Sequence, residues 1–197
     1  MTAPVTVALK PFETRSDTSE QRSALASAMT LEVTVLRKGP VLSLFYRLEG
    51  DLSKVVVPPV AQKPGRRDHL WEQTCFELFL SAQLAPTRET PYWEFNLSPA
   101  GHWNVFLLQP YRYRLKQESA LNSLPITVES SSTALYLAVS VDLSQLIDPA
   151  RPLRIGISAV VVLMGEKALR ETFWSITHPA SQPDFHHPDS FAVQLIP

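Results

Sequence analysis

Residues 92–104 read Tyr92-Trp93-Glu94-Phe95-Asn96-Leu97-Ser98-Pro99-Ala100-Gly101-His102-Trp103-Asn104. Apolar and polar side chains alternate strictly on both sides of the Pro99-Ala100-Gly101 segment. Alternation with a period of two is typical of a β-strand that buries one face. The stretch therefore predicts two antiparallel strands joined by a tight turn, and the remaining sequence extends this pattern in both directions.

The alternation also determines the length of the turn. With a three-residue turn, Leu97 faces Trp103 on the apolar side and Asn96 faces Asn104 on the polar side. A two-residue turn would pair Asn96 with Trp103, because a shift of one residue moves every side chain to the other face. Gly101 supplies the positive φ that the three-residue turn requires. We expect the apolar side to lie in the core: Trp93, Phe95, Leu97, Trp103, Val105 and Leu107.

The opposite face of this hairpin carries short, stiff side chains that are rich in hydrogen-bond acceptors. Glu77, on a neighbouring predicted strand, has the phase opposite to that of its apolar neighbours Phe76 and Leu78. Two interpretations of the face stay open: it is the solvated side of an antiparallel sheet, or it lines a concave groove for a polar ligand. Its members on the hairpin are Tyr92, Glu94, Asn96, Ser98, His102 and Asn104.

Short strands are predicted along most of the chain. Seventeen prolines separate segments rich in Val, Leu, Phe, Tyr and Trp, which favours many strands and few helices. Residues 153–164 are apolar on nearly both faces and predict a central strand. We expect about nine to eleven strands in an all-β fold, an antiparallel β-sandwich of two sheets with little helix, as a single domain over residues 1–197. Alternating runs occupy residues 31–35, 42–48, 75–80 and 135–141.

Five further segments complete the prediction. Residues 5–9 alternate and are expected to join the sheet, and residues 170–177 and 191–196 are expected to close it. Residues 18–29 predict one or two helical turns, and residues 142–148 predict a short helical turn between strands.

Composition excludes several classes of partner. The net charge is −1, so no excess of basic charge is present to bind a nucleic-acid backbone. No segment reaches the roughly 20 apolar residues that span a bilayer, and no signal peptide is evident. Cys75 is the only cysteine and is predicted to be a buried, inert thiol. We expect a cytoplasmic protein that binds neither nucleic acid nor membrane.

Three other kinds of chemistry are less well supported by the sequence: catalysis, haem binding and metal binding. Glu77 and Glu94 are able to form a glycosidase-like acid–base pair, but many non-catalytic sheets offer the same spacing, so no catalytic residue is predicted. Met164 closes an apolar strand and is assigned to the core rather than to haem, and no cofactor is predicted. A group of polar residues near the end of the chain fits no zinc signature, so no metal site is predicted. That group comprises His178, Asp184, His186, His187 and Asp189.

Residues 70–79, which read Leu70-Trp71-Glu72-Gln73-Thr74-Cys75-Phe76-Glu77-Leu78-Phe79, precede the hairpin of residues 92–104. Together these segments resemble the DOMON-like proteins related to family 9 carbohydrate-binding modules. Residues 174–191 are similar to the end of the same domain, so the resemblance covers the chain from about residue 31 onward. It implies a β-sandwich of two antiparallel sheets.

In family 9 modules, two tryptophans clamp a terminal sugar, and polar side chains on a concave sheet face bind its hydroxyl groups. The resemblance implies that Trp71 is the first tryptophan, Glu77 the acid that follows it, and Trp174 the second tryptophan. The clamp is physically reasonable because sugar C–H groups pack on indole rings and carboxylates accept hydroxyl hydrogens. DOMON-like relatives also include haem-binding redox domains.

Our leading hypothesis is therefore a non-catalytic module that binds a small carbohydrate or polyol-like ligand on a concave sheet face. A structural or protein-interaction β-sandwich, whose exposed edge strands pair with a protein partner, is the first alternative. A haem-binding redox domain is the second. The predicted ligand-binding residues are Trp71, Glu77, Glu94, Asn96, Asn104 and Trp174.

Overall fold

The computed structural model of the protein describes residues 3–13, 29–165 and 168–197. Within these ranges the chain forms twelve strands and three short 3-10 helices, Leu52–Lys54, Leu70–Glu72 and Pro188–Ser190. The strands are β1 (Val5–Pro11), β2 (Met29–Lys38), β3 (Val41–Gly50), β4 (Cys75–Ser81), β5 (Tyr92–Leu97), β6 (Trp103–Leu108), β7 (Lys116–Gln117), β8 (Ile126–Ser130), β9 (Ala134–Asp142), β10 (Leu153–Met164), β11 (Leu169–Ser175) and β12 (Val193–Leu195). The predicted all-β class is confirmed.

All pairs between these strands are antiparallel, in the order β7-β6-β5-β4-β10-β11-β1-β2-β3-β9-β8, with β12 on β10. Strand β1 joins the two halves because Val5–Leu9 pairs with β2, whereas Lys10 and Pro11 pair with β11. The two predicted sheets are thus two halves of one curled sheet. We call β4–β7 and β10–β12 the hairpin half, and β1–β3, β8 and β9 the opposite half.

The inner faces of the two halves share one hydrophobic core. Tyr46 on β3 reaches across it: its ring lies 5.0 Å from that of Phe76 on β4, and its hydroxyl donates a hydrogen bond to the Glu77 carbonyl at 2.9 Å. As the alternation predicts, Phe76, Leu78 and Leu80 face this core, so Glu77 and Phe79 point to the outer face of the hairpin half.

The predicted register of the hairpin is confirmed. Leu97 pairs with Trp103 and Asn96 with Asn104 across the three-residue turn, where Gly101 has a φ of 84°. The Gly101 amide donates to the Ser98 carbonyl at 2.8 Å and closes the turn. Four of the six predicted core residues are fully buried, and the other two are partly buried. The buried four are Phe95, Leu97, Trp103 and Val105.

The polar face of the hairpin is buried rather than solvated, so the interpretation as a solvent-facing side is wrong. The C-terminal segment, residues 179–191, packs on this outer face. The ring of Phe191 lies 5.5 Å from that of Tyr92, and the ring of His186 lies 5.0 Å from that of Phe79. A second, smaller apolar cluster forms there, and both faces of the hairpin half are consequently covered.

The remaining predictions have mixed outcomes. Cys75 is buried as predicted, and residues 5–9 lie on β1. Residues 142–148 contain a single helical turn, in which the Ile147 amide donates to the Leu143 carbonyl at 2.9 Å. Of residues 18–29, predicted to be helical, residues 18–28 lie outside the described part of the chain.

Met164 was expected in the core, but it is 59% exposed. Its position explains the difference, because Met164 ends β10 and pairs with Leu169 at the far tip of the β10–β11 hairpin, beyond the packed layer. Within the described ranges, no helix is long and apolar enough to cross a membrane.

Gly156 on β10 lies where the C-terminal segment crosses the sheet. A Cβ there would lie 2.9 Å from the Ser190 carbonyl oxygen, a backbone atom that cannot rotate away. We expect Gly156→Ala to lower the free energy of unfolding by about 1–3 kcal/mol, as overpacking does. Gly65→Ala is the matched control, since a Cβ at Gly65 would meet no atom within 4 Å. Urea denaturation measures both variants, and equal stabilities would contradict the packing argument.

Candidate ligand-binding site

The outer face of the hairpin half holds a cavity of about 580 Å³. Its floor consists of side chains from β4, β5 and β10: Glu77, Phe79, Glu94 and Val160. Its walls come from the 3-10 helix Leu70–Glu72, the loop after β6, strand β11 and the C-terminal segment. The floor follows from strand pairing, since Glu77 pairs with Asn96 and Ser158, and Phe79 pairs with Glu94. Alternation therefore brings both predicted acids to the same surface.

Glu77 is only 3% exposed and lies at the centre of the floor. Its Oε2 accepts a hydrogen bond from the Ser158 hydroxyl at 3.0 Å, and it forms no salt bridge with any described residue. Burial, reinforced by the nearby Glu94 carboxyl, raises the pKa of Glu77 to about 8. The side chain is therefore largely protonated at neutral pH and is able to donate as well as accept a hydrogen bond.

Glu94 is buried beside it, in the diagonal position on the neighbouring strand. Its Oε1 accepts a hydrogen bond from the Asn96 side-chain amide at 2.8 Å. Burial raises the pKa of Glu94, whereas the Asn96 hydrogen bond and the positive charge of Arg112 act in the opposite direction. Two acidic groups thus share one desolvated floor.

A polar network joins the loop after β6 and strand β5 to the C-terminal segment. Arg112 donates to Asp184 at 3.0 Å, and the Tyr111 hydroxyl donates to the same carboxylate. The Tyr92 hydroxyl lies 2.8 Å from Nδ1 of His186. Burial lowers the pKa of His186 to about 4, so this imidazole is neutral at neutral pH. The network fixes the C-terminal segment over the sheet and pairs Arg112, a cation of the described lining, with Asp184.

Trp71 lies on the cavity wall, as predicted. The 3-10 helix Leu70–Glu72 places its indole ring, which is partly buried and lies 6.1 Å from the ring of Phe106, edge to face. His69, in a left-handed conformation, precedes this helix, and its ring is 5.2 Å from the indole. The indole is therefore supported on one side and available to the cavity on the other.

Trp174 does not contribute a second wall, so that prediction is wrong. It is 1% exposed, belongs to the main core and pairs with Ala159 on β10. Its indole Nε1 donates to the Thr172 hydroxyl at 2.9 Å. Because side chains alternate along β11, Phe173 faces the cavity instead.

Asn96 and Asn104 lie on the predicted face but behind the cavity, and neither lines it. Asn96 is fully buried and orients Glu94. The Asn104 side chain accepts from Arg66 at 2.7 Å and donates to Asp68 at 2.7 Å. The amides therefore support the Glu94 carboxyl and the loop before β4, and neither side chain reaches the cavity.

Four further residues line the cavity that no sequence pattern predicted: Arg112, Phe173, Phe185 and His186. Phe185 and His186 lie in the segment whose polar residues fit no zinc signature. In the part of the chain that the structure describes, no three His, Cys, Asp or Glu side chains come together as metal ligands. The phenylalanines of that segment are the sequence feature that indicates its packing on the outer face of the sheet.

No protein-family model and no curated protein matches the chain. Solved structures do match it. A candidate carbohydrate-binding protein from Bacteroides uniformis superposes with a TM-score of 0.59 and 16% identity, covering 93% of this chain and 83% of that one. A family 9 carbohydrate-binding module from Caldicellulosiruptor kristjanssonii, solved with glucose, gives a TM-score of 0.47 and 11% identity over 96% and 83% of the two chains. The Bacteroides match shows a common fold.

The contrast between the two tryptophans is testable. We expect Trp174→Ala to lower the free energy of unfolding by about 3–5 kcal/mol, the range for large-to-small changes in a core. Trp71→Ala should cost less than half as much, because that ring is only partly buried. Chemical denaturation of the two variants measures the difference. A larger loss for Trp71→Ala would contradict the assignment of Trp174 to the core.

The raised pKa of Glu77 predicts a pH-dependent stability. An unfolded glutamate titrates near 4.3, so between about pH 4.3 and 8 the folded protein binds one more proton than the unfolded chain. Stability should therefore fall as pH rises through this window, by at most about 1.4 kcal/mol for each pH unit. Glu77→Gln removes this contribution, so its melting temperature should increasingly exceed that of the wild type from pH ~5 to ~8.

The matched control for this measurement is Glu129→Gln, which changes an exposed glutamate on β8. Its melting temperature should follow that of the wild type at every pH. Parallel pH curves for Glu77→Gln and the wild type would show that Glu77 titrates as an ordinary exposed carboxyl.

Proposed function

We propose that the protein is a non-catalytic binding module that holds a small carbohydrate or a similar polyol in the cavity of the hairpin half. The observation that carries this proposal is a preformed cavity of about 580 Å³ with two buried acids in its floor and aromatic rings around them. This volume lies within the range of about 300–1,000 Å³ that small-molecule sites occupy.

The cavity offers the two kinds of contact that a sugar needs. Trp71, Phe173 and Phe185 present aromatic surface to the apolar C–H face of a sugar ring. Glu77 and Glu94 offer oxygens that accept from, and when protonated donate to, the hydroxyl groups. The predicted clamp of two tryptophans is replaced by one tryptophan facing phenylalanines.

The electrostatics favour binding over hydrolysis. A glycosidase needs one protonated and one ionised carboxyl, with environments that drive their pKa values apart. Here burial raises the pKa of both Glu77 and Glu94. Neither carboxyl forms a salt bridge with a described residue, although the positive charge of Arg112 acts to lower the pKa of Glu94. The fold shared with the Bacteroides protein is compatible with a carbohydrate ligand. The chemical argument for that ligand comes from the acids and aromatic rings of the cavity.

Tryptophan fluorescence tests the proposal directly. The chain has four tryptophans; Trp103 and Trp174 are buried in the core, and the indole of Trp93 donates to Glu118 at 3.0 Å away from the cavity. We expect a panel of mono- and disaccharides at concentrations up to about 10 mM to contain at least one sugar that changes the emission. The change should come from Trp71, because only its ring meets the ligand.

Trp71→Phe should therefore abolish the fluorescence change, whereas the control Trp93→Phe should retain it. Isothermal titration calorimetry then gives the affinity of each variant without relying on emission. No response to any sugar in either assay would refute carbohydrate binding and would favour the protein-interaction alternative.

A further inference from the structure

Acidic groups outnumber basic ones around the cavity. Arg112 supplies a guanidinium to the lining, but Asp184 already neutralises it at 3.0 Å. His186 is neutral at neutral pH because burial lowers its pKa to about 4. Four carboxyls belong to the described lining: Glu72, Glu77, Glu94 and Glu171. The lining therefore holds several carboxyls that are able to ionise beside a cationic ligand, a feature that a neutral polyol does not need.

The two floor carboxyls are incompletely bonded. One oxygen of Glu77 is bonded by Ser158, and one oxygen of Glu94 by Asn96. The second oxygen of each has no hydrogen-bond partner among the described residues, and both side chains line the cavity. Burial of a carboxyl is costly unless a donor or a cation compensates it. A ligand in the cavity would be able to supply such a donor or cation to the two carboxyls.

The aromatic rings of the lining also favour a cationic ligand. Trp71, Phe79 and Phe173 line the cavity, and aromatic faces attract organic cations. Among the described residues no three His, Cys, Asp or Glu side chains come together, so the lining offers a metal ion too few ligands. An ammonium group, which carries three N–H donors and one positive charge, suits both the acids and the rings.

We propose that the ligand is an amino sugar whose ammonium group lies between the carboxyls of Glu77 and Glu94. This inference rests on the proposed function, since it specifies the ligand of the same cavity.

Binding of such a ligand should release a proton. Glu77 is protonated at neutral pH, and an adjacent positive charge favours its ionised form. Burial raises the pKa of Cys75 and of Tyr46 well above their usual values, so neither competes for this role. Among the described residues, the titratable or charged groups that face Glu77 are Tyr46 below the sheet, Cys75 and Glu94 on it, and Glu72, Glu171, Arg112 and His186 around the cavity.

Isothermal titration calorimetry of the full chain tests the inference with D-glucosamine, D-glucose and N-acetyl-D-glucosamine. At about pH 6.5, where the amine is charged and Glu77 protonated, glucosamine should bind at least about tenfold more tightly than the two neutral sugars. Repeating the titration in buffers with different ionisation enthalpies should show the release of about one proton for glucosamine and none for the neutral sugars.

Substitutions of the two floor acids test whether the preference for glucosamine and the proton release arise at Glu77 and Glu94. Glu77→Gln should abolish proton release and reduce the preference for glucosamine to within about threefold. Glu94→Gln should reduce the preference as well, and it serves as the second variant if Glu77→Gln folds poorly. Glu129→Gln, on the exposed surface of β8, should leave both the preference and the proton release unchanged.

The outcomes separate the two proposals. If glucose or N-acetylglucosamine binds as tightly as glucosamine, the ammonium site is refuted while carbohydrate binding stands. If glucosamine binds without proton release, or if Glu77→Gln keeps the full preference, the ammonium does not lie at Glu77 and the inference is also refuted. If none of these sugars nor any other in the panel binds, both proposals fail.

Discussion

Burial of both faces of the hairpin half is the constraint on which the rest of the structure depends. Strands β4 and β10 pair with each other at its centre, and nearly every side chain on them is buried. One face packs on the opposite half, where Tyr46 spans the core. The other face needs its own cover, which the C-terminal segment supplies through Phe185 and Phe191. That cover is incomplete, and the gap it leaves is the cavity.

The buried acids are the feature that this architecture does not itself require. Phe79 and Val160 show that the outer face accepts apolar residues, yet Glu77 and Glu94 occupy its centre. A carboxyl in this position destabilises the fold as it ionises, because the charged form is poorly solvated. Carboxyls with strongly perturbed pKa values cluster at functional sites, which is why these two acids support the proposed function. Under the proposed function, stability and ligand recognition are linked through these two side chains.

Sequence reasoning succeeded where the relevant information is local. The register of the hairpin followed from alternation on both sides of one turn, and it placed Glu94, Asn96 and Asn104 on one face. It failed for Trp174, whose face depends on its pairing with Ala159 of β10, a partner that is distant in the chain. Arg112 was missed for the same reason, since its role arises from contact with the C-terminal segment.

The sequence by itself therefore determined the fold class, the phase of β4 and β5, and the presence of two acids on one sheet face. These properties follow from the two-residue period of a strand and from the geometry of a tight turn. Only the tertiary structure decided that this face is buried, that Trp71 but not Trp174 meets the cavity, and that Asn96 and Asn104 lie behind it. Burial and proximity between distant segments come from packing, which alternation along a single strand does not encode.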